Sequence, residues 1–160
     1  MGELNRTWTI PPSETLPEMS FEIREPPLTG DNLGFKTWGT AFAIAKKLEY
    51  IGTHLPKDAL SSGSTRESPA RVLELGSGTG LVGIAAAAIW STSILLTDLP
   101  EIQSNLDFNI QANSETVSTR GGQLSSHILD WKSDEGLVGY ATQEFDVRTI
   151  LSIIPVGFIH

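Results

Sequence analysis

One stretch constrains this chain more than any other: Ala70-Arg71-Val72-Leu73-Glu74-Leu75 running into Gly76-Ser77-Gly78-Thr79-Gly80. An apolar run of strand length empties into three glycines. The Ala-rich run Leu81 to Trp90 that follows is apolar nearly all round, as expected of a helix packed on a sheet. Ser93-Ile94-Leu95-Leu96-Thr97-Asp98 then reads as a second buried strand ending in an acid. Strand, glycine turn, helix, strand is a parallel crossover, right-handed by strong geometric preference, and it commits the chain to an α/β fold.

The same unit carries chemistry. Glycines at a strand end let the backbone approach a ligand where a β-carbon would clash. The following helix presents free N–H groups and a positive dipole end to whatever sits there. Asp98 trails the glycine turn by close to the ~20 residues expected of nucleoside-binding units, placed to accept from ribose hydroxyls. The third glycine departs from the dinucleotide fingerprint: the pattern is Gly-x-Gly-x-Gly, with Gly83 further on. No Gly-Lys-Ser/Thr follows, which excludes a phosphate-binding P-loop. Glu74, inside an apolar strand, needs a donor or a cation, because an unpaired buried carboxylate costs several kcal/mol. A structural salt bridge or backbone contact and a place beside a cationic ligand are both open to it.

Around this unit the chain is less regular. Residues 1–34 hold Pro11, Pro12, Pro17, Pro26 and Pro27, so mostly extended or irregular chain is expected, with a short edge strand over Met19 to Arg24. Thr37 to Tyr50 reads as one helix that Thr40 can cap. Residues 52–70 read as a polar loop. Glu101 to Asn113 is an amphipathic helix, Gly121-Gly122 a turn, and Gln123 to Trp131 a third strand. Glu144-Phe145-Asp146-Val147 opens a fourth strand. The division expected is an irregular N-terminal segment over 1–34 and a partial nucleoside-binding domain over 35–160.

Composition removes other classes. The 160 residues carry a formal charge of -8, against the clustered Lys and Arg that a nucleic-acid binder needs. With no cysteine there is no disulfide framework or thiolate site, and His54, His127 and His160 lack ligand spacing, so no metal is expected. No signal pattern or bilayer-length apolar run is present, which makes a cytoplasmic home the default and the nucleus its alternative.

Val72-Leu73-Glu74-Leu75-Gly76-Ser77-Gly78-Thr79-Gly80-Leu81-Val82-Gly83 resembles the first motif of the seven-strand (class I) methyltransferase family 16, mostly protein-lysine methyltransferases that modify chaperones and translation elongation factors. Thr37-Trp38-Gly39 resembles its tryptophan segment, Leu96-Thr97-Asp98-Leu99-Pro100 its second acidic strand end, Asn105 to Asn109 its following helix, and Leu129-Asp130-Trp131 its third strand end. Gly30 to Trp38 is similar to fungal members that act on elongation factors. The resemblance implies a Rossmann-like class I methyltransferase sheet, here incomplete, with the first three to four strands and their flanking helices. It implies S-adenosylmethionine as cofactor and a protein substrate such as an elongation factor or chaperone, with no nucleic acid and no membrane. Gly76, Ser77 and Gly78 would line the methionine moiety with Glu74 nearby, Gly80 would shape the turn, and Asp98 would hold the ribose. Asp130 would accept from the adenine amino group, Trp131 would pack on adenine, and Trp38 would cover the cofactor. Taken singly, both tryptophans read as core or interface anchors, and beside the glycine loop they read as cofactor contacts.

The family continues its fourth strand into an acidic-x-x-aromatic motif, whereas Arg148 to Pro155 contains none. The resemblance therefore implies a C-terminally truncated chain and names no catalytic residue. The competing readings are a non-catalytic cofactor-binding or regulatory fragment, and a nicotinamide-dependent half-domain that the glycine spacing disfavours.

Overall fold

A computed structural model describes residues 4–27, 33–55 and 72–130. Strand β1 (Leu4–Ile10) pairs antiparallel with β2 (Met19–Glu25), in a register from Leu4 opposite Glu25 to Ile10 opposite Met19. Two short helices follow, α1 (Gly39–Ala45) and α2 (Leu48–His54). Then come β3 (Val72–Leu75), α3 (Leu81–Trp90), β4 (Ser93–Asp98), α4 (Pro100–Ala112), α5 (Ser114–Thr119) and β5 (Gln123–Ile128).

The three later strands form a parallel sheet in the order β3-β4-β5. This is the start of a Rossmann-like sheet, as expected. Successive right-handed crossovers stepping in one direction put α3 and α4 on the same face. A β-carbon on Gly80 would sit 2.7 Å from Leu106 Cδ1 of α4 and 3.2 Å from Ile84 Cδ1 of α3, so the two helices meet beneath the glycine turn. Helix α3 is the centre of the core: Leu81, Ile84 and Ala85 to Ala88 are all buried. It packs on the sheet to one side and on α1, α2 and β2 to the other. Trp90 anchors its far end, donating from Nε1 to the Leu48 carbonyl at 2.8 Å.

The N-terminal segment is better ordered than its prolines led us to expect. Pro11, Pro12 and Pro17 fall in the connection between β1 and β2, and Pro26 and Pro27 lie just past β2, so none removes a ladder donor. Alternation within β2 buries Met19, Phe21 and Ile23 while Ser20 and Glu22 face water. Trp8 lies against Phe42 of α1, with ring centroids 4.8 Å apart.

Other boundaries also moved. The expected single helix over Thr37 to Tyr50 breaks at Lys46-Lys47, where the Lys47 N–H donates back to the Ile44 carbonyl at 2.8 Å in a tight turn. Trp38, not Thr40, occupies the N-cap, and no side chain caps it. Helix α5, over residues to which the sequence reading gave no element, fills the space before Gly121 and buries Val117. Strand β5 ends at Ile128, three residues earlier than expected. The expected fourth strand from Glu144, and Trp131, lie outside the described residues. Among the described residues no helix is long and apolar enough to cross a membrane.

Candidate cofactor site

Because the sheet is parallel, the carboxyl ends of its strands share one edge: Leu75 pairs with Thr97, and Asp98 with Ile128. Open α/β sheets bind ligands outside such an edge. The glycine turn leaves β3 there with Gly76, Gly78 and Gly80 at φ 67°, 58° and 86°, all in the left-handed region that penalises a β-carbon. Space is short as well as torsion, since a β-carbon on Gly78 would lie 3.2 Å from the Gly34 carbonyl oxygen.

Ser77 ties the turn to the neighbouring strand. Its N–H donates to the Thr97 carbonyl at 3.0 Å, and its Oγ accepts from the Thr97 N–H at 3.1 Å. The Gly78 N–H then donates to Asp98 Oδ2 at 2.6 Å, while Asp98 Oδ1 accepts from the Leu99 N–H at 2.7 Å. Burial pushes the Asp98 carboxyl up from its ordinary value of 3.8, against these two donors, which pull it down. Each carboxylate oxygen keeps a further lone pair for a ligand hydroxyl. Asp98 also receives the chain of the next strand, its carbonyl accepting from the Leu129 N–H at 2.8 Å. That bond sets Asp130 one residue further on, beside the same edge.

Glu74 lies behind the turn, 2% exposed. Its Oε2 has no hydrogen-bond partner among the described residues, and a β-carbon on Gly83 of α3 would lie 2.3 Å from it. Burial pushes this carboxyl up to about 8, and hydrogen bonding from Ser77 and the Gly83 backbone offsets only part of the rise. Among the described residues no salt bridge reaches Glu74, while the backbone contact that was equally open to it is made at Gly83.

Trp38 stands half-buried at the head of α1, with Lys36 Nζ 5.4 Å from its ring centroid. The segment carrying it does reach the turn: Thr37 Oγ1 and Thr79 Oγ1 are 2.8 Å apart, both side chains buried. Of the nine expected site residues, the structure thus gathers Gly76, Ser77, Gly78, Gly80 and Asp98 in one hydrogen-bonded knot, with Glu74 beneath it. Asp130 follows at the same edge, and Trp38 adjoins through Thr37. Trp131 is outside the described residues. No group of acids and histidines among the described residues could hold a metal ion.

The donor set suits S-adenosylmethionine on two observations. A glycine cradle that β-carbons would fill opens beside a carboxylate placed for a ribose diol. An orphan carboxyl oxygen sits behind it, a group whose charged form a nearby sulfonium or ammonium would favour. The sequence reading assigned no role to Asn105, Asn109, Asn113, Thr37 or Thr79, although asparagines every fourth residue along an inward helix face were there to be seen.

Known proteins resemble this chain over much of its length. A family model described as lysine methyltransferase matches residues 16–150. Over 113 residues the chain is 42% identical to the protein-lysine N-methyltransferase rrg1 of Schizosaccharomyces pombe, an alignment covering 71% of this chain and 33% of that protein. Over 148 residues it is 34% identical to the protein-lysine N-methyltransferase EFM2 of Saccharomyces cerevisiae, covering 86% of this chain and 33% of that protein. A shorter match, 47% identical over 60 residues, is to the protein-lysine methyltransferase METTL21E of Bos taurus, covering 38% of this chain and 20% of that protein. The chain spans about a third of the length of the first two relatives.

Proposed function

The chain belongs to the lysine methyltransferase family, and from that premise we propose that it binds S-adenosylmethionine for transfer to a lysine of a protein partner, a translation or chaperone protein in the cytoplasm. One observation carries the reading: the 2.6 Å bond from the Gly78 N–H to Asp98 joins the glycine turn of β3 to the acid of β4. A nucleoside site needs those two parts in one place.

When bound, S-adenosylmethionine supplies an electrophilic methyl group. The chain's own residues hold and orient it. Gly76, Ser77 and Gly78 line the methionine end, Gly80 lets α3 begin directly beneath, and Asp98 accepts from the ribose hydroxyls. Asp130 accepts from the adenine amino group, Trp131 stacks on the ring, and Trp38 closes the N-terminal side. Glu74, which burial keeps protonated, ionises beneath a bound sulfonium or ammonium group, whose charge favours the carboxylate. The accepting lysine must shed the proton that its ordinary pKa of ~10.4 retains at neutral pH, which calls for a channel that excludes water. Orientation of two bound reactants then supplies most of what a displacement of this kind requires.

Calorimetric titration with S-adenosylmethionine and, separately, with NAD tests the proposal. Binding of the first in the micromolar range and none of the second is the expected result. Asp98→Asn keeps the shape but loses the charge, and should weaken binding by about 10- to 100-fold, the equivalent of a hydrogen bond to a charged group. A wild-type chain that ignores S-adenosylmethionine at millimolar concentration would sink the reading. Binding without transfer of a tritiated methyl to any protein of a lysate would leave a cofactor-binding module and remove the transferase.

A further inference from the structure

The feature that the cofactor reading leaves unused is the row of buried amides along α4. Asn105, Asn109 and Asn113 are 1%, 0% and 2% exposed, and they face a strand edge, not a hydrophobic surface. The Glu22 N–H donates to Asn113 Oδ1 at 2.9 Å, and Asn113 Nδ2 donates back to the Glu22 carbonyl at 2.8 Å. One step along, the Arg24 N–H donates to Asn109 Oδ1 at 2.8 Å, and Asn109 Nδ2 donates to the Arg24 carbonyl at 3.3 Å. Each asparagine thus gives β2 the donor and acceptor that a neighbouring strand would have given. The register works because four helical residues advance about 6 Å and two strand residues about 6.8 Å.

The third rung differs because Pro26 has no N–H to offer. Asn105 instead accepts from Arg24 Nε at 2.9 Å and donates to the Arg24 carbonyl at 3.2 Å. The middle rung has a second attachment: Asn109 Nδ2 also donates to the Thr79 carbonyl at 2.9 Å, inside the glycine turn. A parallel path runs from the end of β2. Arg6 pairs with Glu25 at 3.3 Å, Glu25 accepts from the Thr37 N–H at 3.2 Å, and the Thr37 hydroxyl meets that of Thr79.

We propose that Asn109 and Thr37 are positioning residues, through which the N-terminal β1-β2 pair fixes the conformation of the glycine turn and so sets its affinity for the cofactor. Thr79 is gripped from both sides, at its carbonyl by Asn109 and at its hydroxyl by Thr37. Neither gripping residue needs to touch the ligand. The turn they grip carries three left-handed glycines, which have the most backbone freedom to lose and therefore the most to gain from being held.

The affinity part rests on the cofactor reading, whereas the coupling of hairpin to turn does not, and the test separates them. Asn109→Asp and Asn113→Asp are matched variants: each keeps its acceptor, loses two backbone-directed donations and buries a charge. Only the first reaches the glycine turn. Each is titrated with S-adenosylmethionine, and amide hydrogen exchange is followed at Gly78 and Gly80, both hydrogen-bonded in the turn. N109D is expected to weaken binding by about tenfold or more and to speed exchange at both glycines by a similar factor, with N113D within about twofold of wild type in both. Thr37→Val, nearly isosteric, should show the same signs at about fivefold and covers the case in which N109D does not fold. Equal effects of N109D and N113D, or a T37V indistinguishable from wild type where N109D is unfolded, would overturn the proposal. If the wild-type chain binds no S-adenosylmethionine, the function proposed above has failed, and unchanged glycine exchange in T37V and N109D would then overturn the coupling by itself.

Discussion

Helices α3 and α4 lie on the same face of one sheet and follow the same kind of crossover, yet one buries hydrocarbon on every side and the other buries amides. Along α3, Leu81, Val82, Ile84 and the alanines from Ala85 to Ala88 are buried, and their neighbours are helix flanks and the sheet face. Those surfaces have their backbone groups already paired, so apolar contact is all they can use. Helix α4 buries Ile102 and Leu106 toward the sheet but meets the open edge of β2 with Asn105 and Asn109. An open strand edge is a row of unpaired donors and acceptors, and burying it against leucine would strand them at about 1–3 kcal/mol each. The residue type on a buried helix face thus reports what lies opposite it. Polar does not mean outward when the partner is a strand edge.

The sharpest way to break the comparison is to place α4's residue on α3. Ile84→Asn removes fully buried hydrocarbon and leaves an amide with no strand edge to pair. The expected cost is about 2–5 kcal/mol for the lost packing and roughly 1–3 kcal/mol more for the unpaired group. That is a large share of the ~5–15 kcal/mol that holds a typical domain together. Denaturant midpoints of the variant and of Ile84→Ala measure the two parts. An asparagine tolerated as well as alanine would show that α3 has a polar partner after all.

Next in size is an ionisable group that faces α3. Glu74 is pushed from its ordinary 4.5 to about 8 by burial, because Oε2 lacks the full pairing that the α4 amides enjoy. A raised folded-state value means that the folded chain holds the proton more tightly than the unfolded one between those pH values. Stability from this group is therefore fully present below about pH 4.5 and is lost as pH rises through about 8. The slope is at most about 1.4 kcal/mol per pH unit. Asp98, also raised by burial, adds the same sign, beginning near its ordinary 3.8. Glu74→Gln should flatten the decline measured by denaturation from pH 5 to about 8. A wild-type chain that gains stability over that range would show Glu74 to be ionised and paired.

How much of this was legible in the sequence follows the same division. The β3-turn-α3-β4 unit was readable because its signals are local: a buried apolar run, glycines at left-handed positions and an acid closing the next strand. Gly76, Ser77, Gly78, Gly80 and Asp98 came out of that pattern, and the structure brings them together. The N-terminal pairing was not readable, because prolines in a connection look the same in sequence as prolines in irregular chain. Only the pairing of β1 with β2 shows that Pro11, Pro12 and Pro17 sit between strands. The Asn105, Asn109 and Asn113 spacing was visible, but its meaning depended on a strand edge contributed from some eighty residues away in the chain. The helix break at Lys46-Lys47 carries no glycine or proline to mark it, and the two helices it separates each dock on α3.

The smallest expected effect concerns the outer end of the amide row, where side chain replaces backbone. Arg24 already gives its main-chain N–H to Asn109 and its Nε to Asn105, and its guanidinium carbon lies 3.8 Å from the ring centroid of Phe108. Phe108 is 46% exposed, so its ring is worth little as buried hydrocarbon and acts mainly as a face for the cation. If the row owes its hold to the backbone amides, a double-mutant cycle of Arg24→Ala and Phe108→Ala should return a coupling of only about 0.5–1 kcal/mol, the usual size for an exposed cation–ring contact. Phe108→Ala alone should leave the exchange of Gly78 and Gly80 unchanged, since the hydrogen bonds that grip Thr79 come from Asn109 and Thr37. A coupling of 2 kcal/mol or more, the range of a desolvated pair, would mean that Arg24 locks α4 to β2 by its side chain, and would move the weight of the comparison from the amides to the guanidinium.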